Sequence, residues 1–310
     1  MLKKMLIVAG LLSLVSVCAQ AENTILTNDM TINSAIRDIT TEGIRGGAIV
    51  NNGHNLTINS NISNNTLIQN DPSTTALGGA IFQESGKLTI NNGVTFNNNT
   101  VTGGSQTYPD WDSVDGASGG AFYITGDFTV ETKGNVTFSN NHAIAVAEGG
   151  ESNGGAIAAQ GSSPDASMTF ENVKFTDNSS GTRGGAIYNG DTDITINGKG
   201  EFSGNSSKSG GAVYNLDASG NTKFTTGTGT TFTNNTATST GGAITNYDGT
   251  VNIGANNKFS GNTAKWGGAI YNSSWQGSAT TNIAGGTSFT NNSATDEGGA
   301  IYVYDNAKVN

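Results

Sequence analysis

Cysteine and proline are almost absent from this chain of 310 residues. The one cysteine, Cys18, lies within the first 21 residues, so no disulfide framework holds the remainder together. With three prolines, long stretches keep every backbone N–H that a strand ladder needs. His54 and His142 are the two histidines, and no nucleophile–base pair or His-x-x-x-His pattern follows from their spacing. These absences argue against a disulfide-rich domain, a cysteine enzyme and a histidine metal motif, and the sequence indicates no cofactor.

Basic residues are also scarce. The chain has 14 Lys and Arg against 24 Asp and Glu, and without Lys3 and Lys4 the balance is 12 against 24. Nucleic acid needs a basic stripe, and anionic lipid needs a basic cluster, so neither is expected as a partner. Glycine, asparagine, threonine and serine dominate, a composition that often gives disorder. The regular placement of Ile, Val and Phe argues against disorder here.

The N-terminus has the pattern of a secretory signal peptide over residues 1–21. Two early lysines precede an apolar run at 5–17 and a small-x-small cleavage site at 19–21. The run is too short for a membrane span, and Val17 does not suit a lipoprotein signal at Cys18, which prefers a small residue there. The sequence therefore predicts a mature chain that begins at Glu22 and is exported to a bacterial envelope or surface.

Two short motifs alternate along the chain. Gly-Gly-Ala followed by a large apolar residue occurs nine times, with intervals of 26 to 41 residues. Its copies begin at Gly46, Gly78, Gly119, Gly154, Gly184, Gly210, Gly241, Gly267 and Gly298. Between them stands Phe-x-x-Asn, at Phe96, Phe138, Phe175, Phe202, Phe232, Phe259 and Phe289, with an imperfect copy at Ile62. Self-similarity at this period indicates a stacked solenoid.

Each repeat contains three β-prone pieces separated by glycine and asparagine. We therefore predict an all-β, right-handed parallel β-helix of about nine rungs, in which Phe stacks on Phe and Ile on Ile. The paired glycines are expected at a tight corner, and the motif asparagines are expected in a left-handed turn, forming a ladder along the rod. Residues 22–45 are predicted as an N-terminal partial rung, in which Met30, Ile32 and Ile36 occupy repeat positions. Residues 46–310 are predicted as the repeat region, which stops within a rung and suggests a truncated C-terminus.

The alternation of Phe-x-x-Asn with Gly-Gly-Ala-[Ile/Val/Leu] over residues 46–310 resembles the passenger region of the chlamydial polymorphic outer-membrane proteins. That resemblance implies a β-helix exported by an autotransporter route and displayed at the cell surface, often as an adhesin. No translocator barrel of the kind that the resemblance implies follows in this sequence. Attachment to the outer membrane is therefore expected only through a missing C-terminal anchor.

A column of aromatic residues is the first candidate binding surface. One residue after the motif apolar residue stand Phe82, Tyr123, Tyr188, Tyr214, Tyr271 and Tyr302. Strand alternation should direct these rings outward, where an exposed row could bind sugars or a partner protein. The alternative is an ordinary cross-rung aromatic stack that stabilises the sheet. Inward-facing rings would remove the binding hypothesis.

Two further sets of residues are candidates. Asp191, Asp217 and Asp248 recur four residues after the motif apolar residue, where they are either solvated turn residues or weak candidates for a cation site. The longest insertion, at 101–118, combines aromatic and acidic residues and is the first choice for recognition. Its candidate binding residues are Tyr108, Asp110, Trp111, Asp112 and Asp115.

The sequence thus predicts a non-enzymatic, secreted or surface-displayed β-helix. It would act as an adhesin for a host or neighbouring-cell protein or glycan, or as a structural spacer. The alternative is a polysaccharide-active β-helix enzyme, which would need a compact cluster of acids and bases in a groove across adjacent rungs.

Overall fold

A stack of short parallel strands makes up the whole described chain. The computed structural model describes residues 6–8, 23–71, 74–103, 116–146, 150–218, 220, 222–275 and 277–310. Within these ranges every element is a β-strand, and each strand pairs in parallel with the equivalent strand of a neighbouring rung. The architecture is a parallel β-helix with nine complete rungs and part of a tenth, which confirms the predicted all-β solenoid.

The first ladder contains the strands that begin at the apolar residue of the Gly-Gly-Ala motif. Equivalent residues of neighbouring strands pair in register, so that Ile187 lies beside Ile157 on one side and Val213 on the other. The strands are Thr24–Leu26, Ile49–Asn52, Ile81–Ile90, Phe122–Thr132, Ile157–Gly161, Ile187–Gly190, Val213–Leu216, Ile244–Tyr247, Ile270–Ser274 and Ile301–Asp305. The backbone of Leu6–Val8 also pairs in parallel with Thr24–Leu26.

The second ladder follows after a bend and joins the first in one 19-stranded sheet, because two long strands run through both ladders. Those two strands are Ile81–Ile90 and Phe122–Thr132. The other strands of the second ladder are Met30–Ile32, Leu56–Ile58, Ser167–Phe170, Asp193–Ile196, Lys223–Thr225, Thr250–Ile253, Thr280–Ile283 and Lys308–Val309.

The third ladder holds the Phe-x-x-Asn phenylalanines and has nine strands among the described residues. These are Ile36–Arg37, Ile62–Ser63, Thr95–Asn97, Asn135–Ser139, Asn172–Thr176, Gly200–Ser203, Thr231–Thr233, Lys258–Ser260 and Ser288–Thr290. Six consecutive pairs of the motif phenylalanines, from Phe96 to Phe289, stack face to face with ring centroids 4.6–5.0 Å apart. The predicted phenylalanine stack is confirmed. Each fully buried ring contributes roughly 1.5–3 kcal/mol of apolar burial to the core.

A fourth ladder lies between the motif asparagine and the next glycine pair, where only three strands per rung were predicted. Its strands are Thr40–Glu42, Thr66–Ile68, Thr100–Thr102, His142–Ile144, Ser179–Ser180, Ser206–Ser209, Thr236–Thr240, Thr263–Trp266 and Ser293–Glu297. It was missed because most of its strands bury a single small or medium residue, such as Val101 or Ala143, among Ser and Thr, so they carry little apolar pattern. Three further short strands, Ala76–Leu77, Ala117–Ser118 and Ser152–Asn153, line the corner that follows this ladder.

The N-terminal segment is more complete than a partial rung. Residues 24–42 contribute one strand to each of the four ladders. Met30 and Ile32 pair with Leu56 and Ile58, and Ile36 pairs with Ile62, so their predicted repeat positions are confirmed.

A buried asparagine ladder runs beside the phenylalanine stack, as predicted. From Asn65 to Asn292, each motif asparagine donates from Nδ2 to Oδ1 of the next at 2.9–3.0 Å. The prediction of a left-handed turn was wrong by one position. The left-handed residue is the one before, as at Asn140 (φ 52°) and Asn234 (φ 54°), so the motif asparagine itself faces inward.

A second polar ladder, not predicted from the sequence, closes the bend between the first and second ladders. Asn189, Asn215, Asn246 and Asn272 are fully buried, and each of the first three donates to the next at 2.7–2.8 Å. Asn189 also donates to the Thr192 carbonyl at 3.1 Å, which ties the two sides of the bend together.

The double glycine forms a corner with no room for a side chain. Gly184 has φ +64°, and a Cβ there would lie 2.0 Å from the Ile187 carbonyl oxygen. A Cβ on Gly185 would lie 2.1 Å from the Gly211 carbonyl oxygen of the next rung. The first glycine therefore permits the turn, and the second permits the rungs to approach.

We predict that Gly185→Ala destabilises the protein by about 1–3 kcal/mol, because the backbone of two rungs must separate to admit the methyl group. Gly285→Ala is the matched control, since its Cβ would meet nothing within 4 Å. Thermal unfolding followed by circular dichroism measures both variants. Equal melting temperatures for the two would contradict the steric role of the glycine pair.

The asparagine ladder gives a second prediction. In Asn205→Ala, both the backbone N–H and Nδ2 of Asn178 lose their shared acceptor, Asn205 Oδ1. Each buried group left unsatisfied costs about 1–3 kcal/mol, so the denaturant midpoint should fall clearly. Asn197→Ala, at an exposed position, should leave the midpoint within error. If the two variants unfold at the same denaturant concentration, the ladder is not a source of stability.

Candidate binding groove

A groove of about 720 Å³ runs along the outside of the double-glycine corner in the later rungs. We call it the aromatic groove and define it by Tyr214, Tyr247, Trp266, Tyr271, Tyr302 and Tyr304. One wall is formed by residues just before the glycine pairs, including Thr240 and Trp266. The other wall is formed by outward-facing residues of the first ladder. The groove is therefore a concave strip of the rod surface between these two walls.

The glycine pairs lie between the residues of the two walls in the sequence, and side chains of the wall strands pack closely against them. A Cβ on Gly298 would lie 2.6 Å from the Cβ of Tyr302, and one on Gly241 would lie 2.5 Å from Thr245 Oγ1. Across the same corner, Thr245 Oγ1 donates to the Thr240 carbonyl at 2.8 Å. A side chain in place of either glycine would therefore displace residues of the neighbouring wall strand.

The tyrosine rings in the groove form a continuous row. Centroids are 5.7 Å apart from Tyr214 to Tyr247, from Tyr247 to Tyr271 and from Tyr271 to Tyr302, with tilts of 27–47° between successive ring planes. Tyr247 fills the place that Thr245 leaves in the aromatic column, since both face outward from the same strand. Tyr304 adds a ring 6.4 Å from Tyr302.

The predicted aromatic column does face away from the core, but the expectation that its rings stand exposed was wrong. Tyr188 is fully buried, Tyr214 is 5% exposed and Tyr271 is 8% exposed, while Tyr302 is intermediate. The rings bury one another in a cross-rung stack, and the wall before the glycine pairs covers their sides. For the buried rings, the structure agrees with the alternative interpretation from the sequence, a cross-rung aromatic stack that stabilises the sheet. Binding by the parts of Tyr214, Tyr271 and Tyr302 that line the groove stays a prediction.

Tyr188 has an unusual environment. Its hydroxyl is buried and has no hydrogen-bond partner among the described residues, and its ring stacks on Tyr214 at 5.9 Å. Burial raises the pKa of Tyr188 well above its ordinary value. In this conformation Tyr188 supports the row from below and does not reach the groove surface.

An ion pair closes the N-terminal end of the groove. Arg183 donates to both carboxylate oxygens of Glu151 at 3.0 Å, in a bidentate pair whose side chains are 7% and 20% exposed respectively. The Arg183 guanidinium carbon also lies 5.7 Å from the Tyr214 ring centroid. The pair neutralises its own charge and fixes the end of the tyrosine row.

The hydroxyls of Tyr214, Tyr247 and Tyr302 remain protonated donors over the physiological range. Burial raises the pKa of Tyr214 to about 12 and also raises that of Tyr247. A hydrogen bond with the Glu297 carboxylate raises the pKa of Tyr302. Hydrogen bonding by these hydroxyls should therefore be insensitive to pH near neutrality.

The aspartate column has a structural role. Asp191 Oδ1 accepts from the Ala218 N–H at 3.0 Å, and Asp248 Oδ1 accepts from the Trp275 N–H at 2.8 Å. Each carboxylate thus binds the turn of the following rung, and Asp217 accepts from Gly220 and Thr222 nearby. Across the described ranges, no group of three His, Cys, Asp or Glu side chains could hold a metal ion.

The predicted loop residues Tyr108, Asp110, Trp111, Asp112 and Asp115 lie outside the described residues, so their role stays a prediction. The described ends of the early insertions meet at the groove corner. Ala76–Leu77, Ala117–Ser118 and Ser152–Asn153 pair in register, and bridges from Asn153 to Arg183 and from Arg183 to Ser209 continue this line into the groove wall.

Several groove residues were missed by the sequence analysis. Tyr247 and Tyr304 stand three residues after the motif apolar residue, and the period-two alternation of a strand could have placed them on the same face as Tyr214. Glu151 and Arg183 could not have been paired from the sequence, because they are 32 residues apart and meet only through the rung register.

Fold and groove together define a solenoid repeat protein with a lateral groove. Six segments match the family model described as the Chlamydia polymorphic membrane protein (Chlamydia_PMP) repeat, at residues 135–160, 172–190, 200–216, 229–247, 258–273 and 286–304. These six segments are thus similar to the repeat, which confirms the resemblance between residues 135 and 304 and relates this part of the chain to bacterial surface and outer-membrane proteins. Each match runs from a third-ladder strand to a first-ladder strand.

No curated protein and no solved structure gives a significant match to the chain. In the part of the chain that the structure describes, no helix is long and apolar enough to cross a membrane.

We predict that Arg183→Met destabilises the protein by about 3–5 kcal/mol, because the Glu151 carboxylate loses its bidentate cationic partner at a side chain that is 20% exposed. The double variant Glu151→Gln/Arg183→Met should recover most of this loss. A double-mutant cycle on chemical unfolding measures the coupling. Strictly additive effects of the two substitutions would contradict a coupled ion pair.

Proposed function

We propose that this chain is a non-enzymatic, surface-displayed β-helix passenger that binds a host or neighbouring-cell partner through the aromatic groove. The observation that supports this proposal most directly is the row of tyrosines that lines one groove on a rigid rod, in which Tyr302 and Tyr304 are the more exposed rings. Aromatic side chains combine a large apolar contact area with a polar tip, and they are enriched where proteins bind partners. The family repeat supports display at a bacterial surface.

The acid content of the groove favours binding over hydrolysis. Two-carboxylate hydrolysis requires a general acid and a second carboxylate about 5–9.5 Å apart across the scissile bond. Among the described residues that line the groove, Glu151 is the one acid, and Arg183 holds both its oxygens. This arrangement is suited to positioning a groove wall, and it leaves the enzyme alternative without a specific supporting observation.

The proposal distinguishes an adhesin from a passive spacer. A spacer needs only the continuous ladders, and its surface residues could change without consequence. An adhesin needs particular exposed side chains, and a rigid rod that presents them loses little entropy on binding. Trp266 and Tyr304 are the sharpest probes, because both line the groove while Tyr304 is 50% exposed and can be truncated without opening the core.

We predict that the purified chain coated on beads binds cultured host or bacterial cells, and that Trp266→Ala/Tyr304→Ala lowers binding by about tenfold or more. Trp275→Ala is the matched control, since this tryptophan is 65% exposed and lies outside the groove lining. Circular dichroism verifies that all variants are folded. Binding that survives the double substitution would exclude the groove as the adhesive surface.

A deletion of residues 104–115 forms the second arm of this experiment. It retains the flanking strands Thr100–Thr102 and Ala117–Ser118, so the ladders can still form. Loss of adhesion only in this deletion would move the adhesive surface to the loop. If the intact chain binds no cell type in the assay, the spacer is the better description.

A further inference from the structure

We propose that the aromatic groove binds a neutral, extended β-1,4-linked polysaccharide that lies along the rod axis. This inference deepens the proposed function and rests on it, since it names the ligand of the same groove. Each rung would present one aromatic ring to the polymer, at the same strand position in Tyr214, Tyr271 and Tyr302 and two residues further along in Tyr247.

The first argument is the shape of the groove. Three successive steps of 5.7 Å link the four rings from Tyr214 to Tyr302 in a row about 17 Å long along its path. Tyr247 stands two residues further along its strand than the register position of Tyr214 and Tyr271, so the row is staggered as it advances from rung to rung. The row follows the rod axis, so its ligand must also be straight over this length. A repeating polymer with one ring per step satisfies this geometry, since the step is close to the length of one pyranose unit. A coiled α-linked glucan does not stay straight over the row.

The second argument is the chemistry of the two walls. The stacked tyrosines present ring edges, tilted faces and phenol hydroxyls to the groove. The opposite wall contributes the side chains of Ser209, Ser239 and Thr240. Such a lining offers hydroxyl donors and acceptors beside apolar ring surface, and a sugar offers hydroxyls beside apolar C–H faces. The groove lining and a sugar are therefore chemically complementary, since each combines hydroxyl groups with apolar surface.

The third argument concerns charge. Arg183 and Glu151 neutralise each other at one end of the groove. Near the other end the Lys265 ammonium lies 3.6 Å from Asp296, and Glu297 bonds Tyr302. Lys208 adds a positive charge on an exposed side chain at the rim. The groove thus has no continuous line of positive charge. A polyuronate or another polyanion would require such a line.

An extended peptide fits less well. The strands that form the walls already pair their backbone groups with neighbouring rungs, so a peptide could not add to them as another strand. Side chains on one face of an extended peptide repeat about every 6.6 Å. The tyrosine rings repeat every 5.7 Å, so the peptide side chains and the rings fall out of step after a few repeats. Equivalent peptide residues would therefore not meet equivalent rungs.

The test uses the purified full chain and isothermal titration calorimetry with cellohexaose and chitohexaose. Maltohexaose, polygalacturonate and an extended threonine-rich peptide serve as comparison ligands. We expect binding to at least one of the two β-1,4-linked hexamers and none to the comparison ligands. Tyr271→Ala should weaken binding by about tenfold, as should Tyr304→Ala, and Trp275→Ala should leave it unchanged.

The variants also separate a local effect from loss of fold. Tyr271→Ala removes a stacked ring, so its melting temperature must be measured alongside its affinity. Tyr304 is half exposed and Tyr247→Phe removes only a hydroxyl, so both variants should keep the fold. We expect a fall of a few fold for Tyr247→Phe if that hydroxyl bonds the sugar.

Three results would overturn the inference: no heat with either hexamer, tighter binding of the peptide or polyanion, or the affinity of the unsubstituted chain retained in both Tyr271→Ala and Tyr304→Ala. If cell adhesion persists after any of these results and still depends on groove residues, the proposed function stands and only the β-1,4-linked ligand is excluded. If the intact chain binds a hexamer yet adheres to no cell, the proposed function fails while the glycan site remains.

Discussion

Close approach of successive rungs at the double glycine is the constraint on which the rest of this protein depends. The second glycine of each pair packs against the carbonyl of the next pair, as at Gly185 and Gly211, at a distance that no other residue tolerates. This contact fixes the register of each rung relative to the next. Once the register is fixed, every equivalent side chain faces its counterpart, and the phenylalanine stack and both asparagine ladders follow.

The buried polar ladders explain how a rod so poor in hydrophobic residues maintains a defined interior. Asn205 illustrates the arrangement, since its amide donates to Asn235 and to the Phe175 carbonyl and accepts from both N–H groups of Asn178. Burying an amide is costly unless its groups are bonded, and both the donor and the acceptor atoms of the Asn205 amide are. These amides can therefore be buried at little cost in the native register. A shift in register would be destabilising, because a displaced rung would leave donors without acceptors.

The same corner links the fold to its candidate function. The groove walls are formed by residues that stand just before and just after the glycine pairs. In the early rungs Arg45 lies over Phe82, with its guanidinium carbon 4.6 Å from the ring centroid. In the later rungs the corresponding space is open and lined by tyrosines. Variation at the residues before and after the glycines can thus change the binding surface without affecting the ladders.

The sequence by itself determined the repeat, the parallel β-helix and the alternation that turns the tyrosine column away from the core. Local period and motif spacing are sufficient for these features, because each rung repeats the same short pattern. Only the tertiary structure decided that Tyr188 is buried, that Tyr247 completes the row, and that Glu151 pairs with Arg183. Those outcomes depend on how deep the glycine corner folds and on which rungs become neighbours. Both are set by contacts between residues some 30 positions apart, as at Glu151 and Arg183, and not by any local pattern.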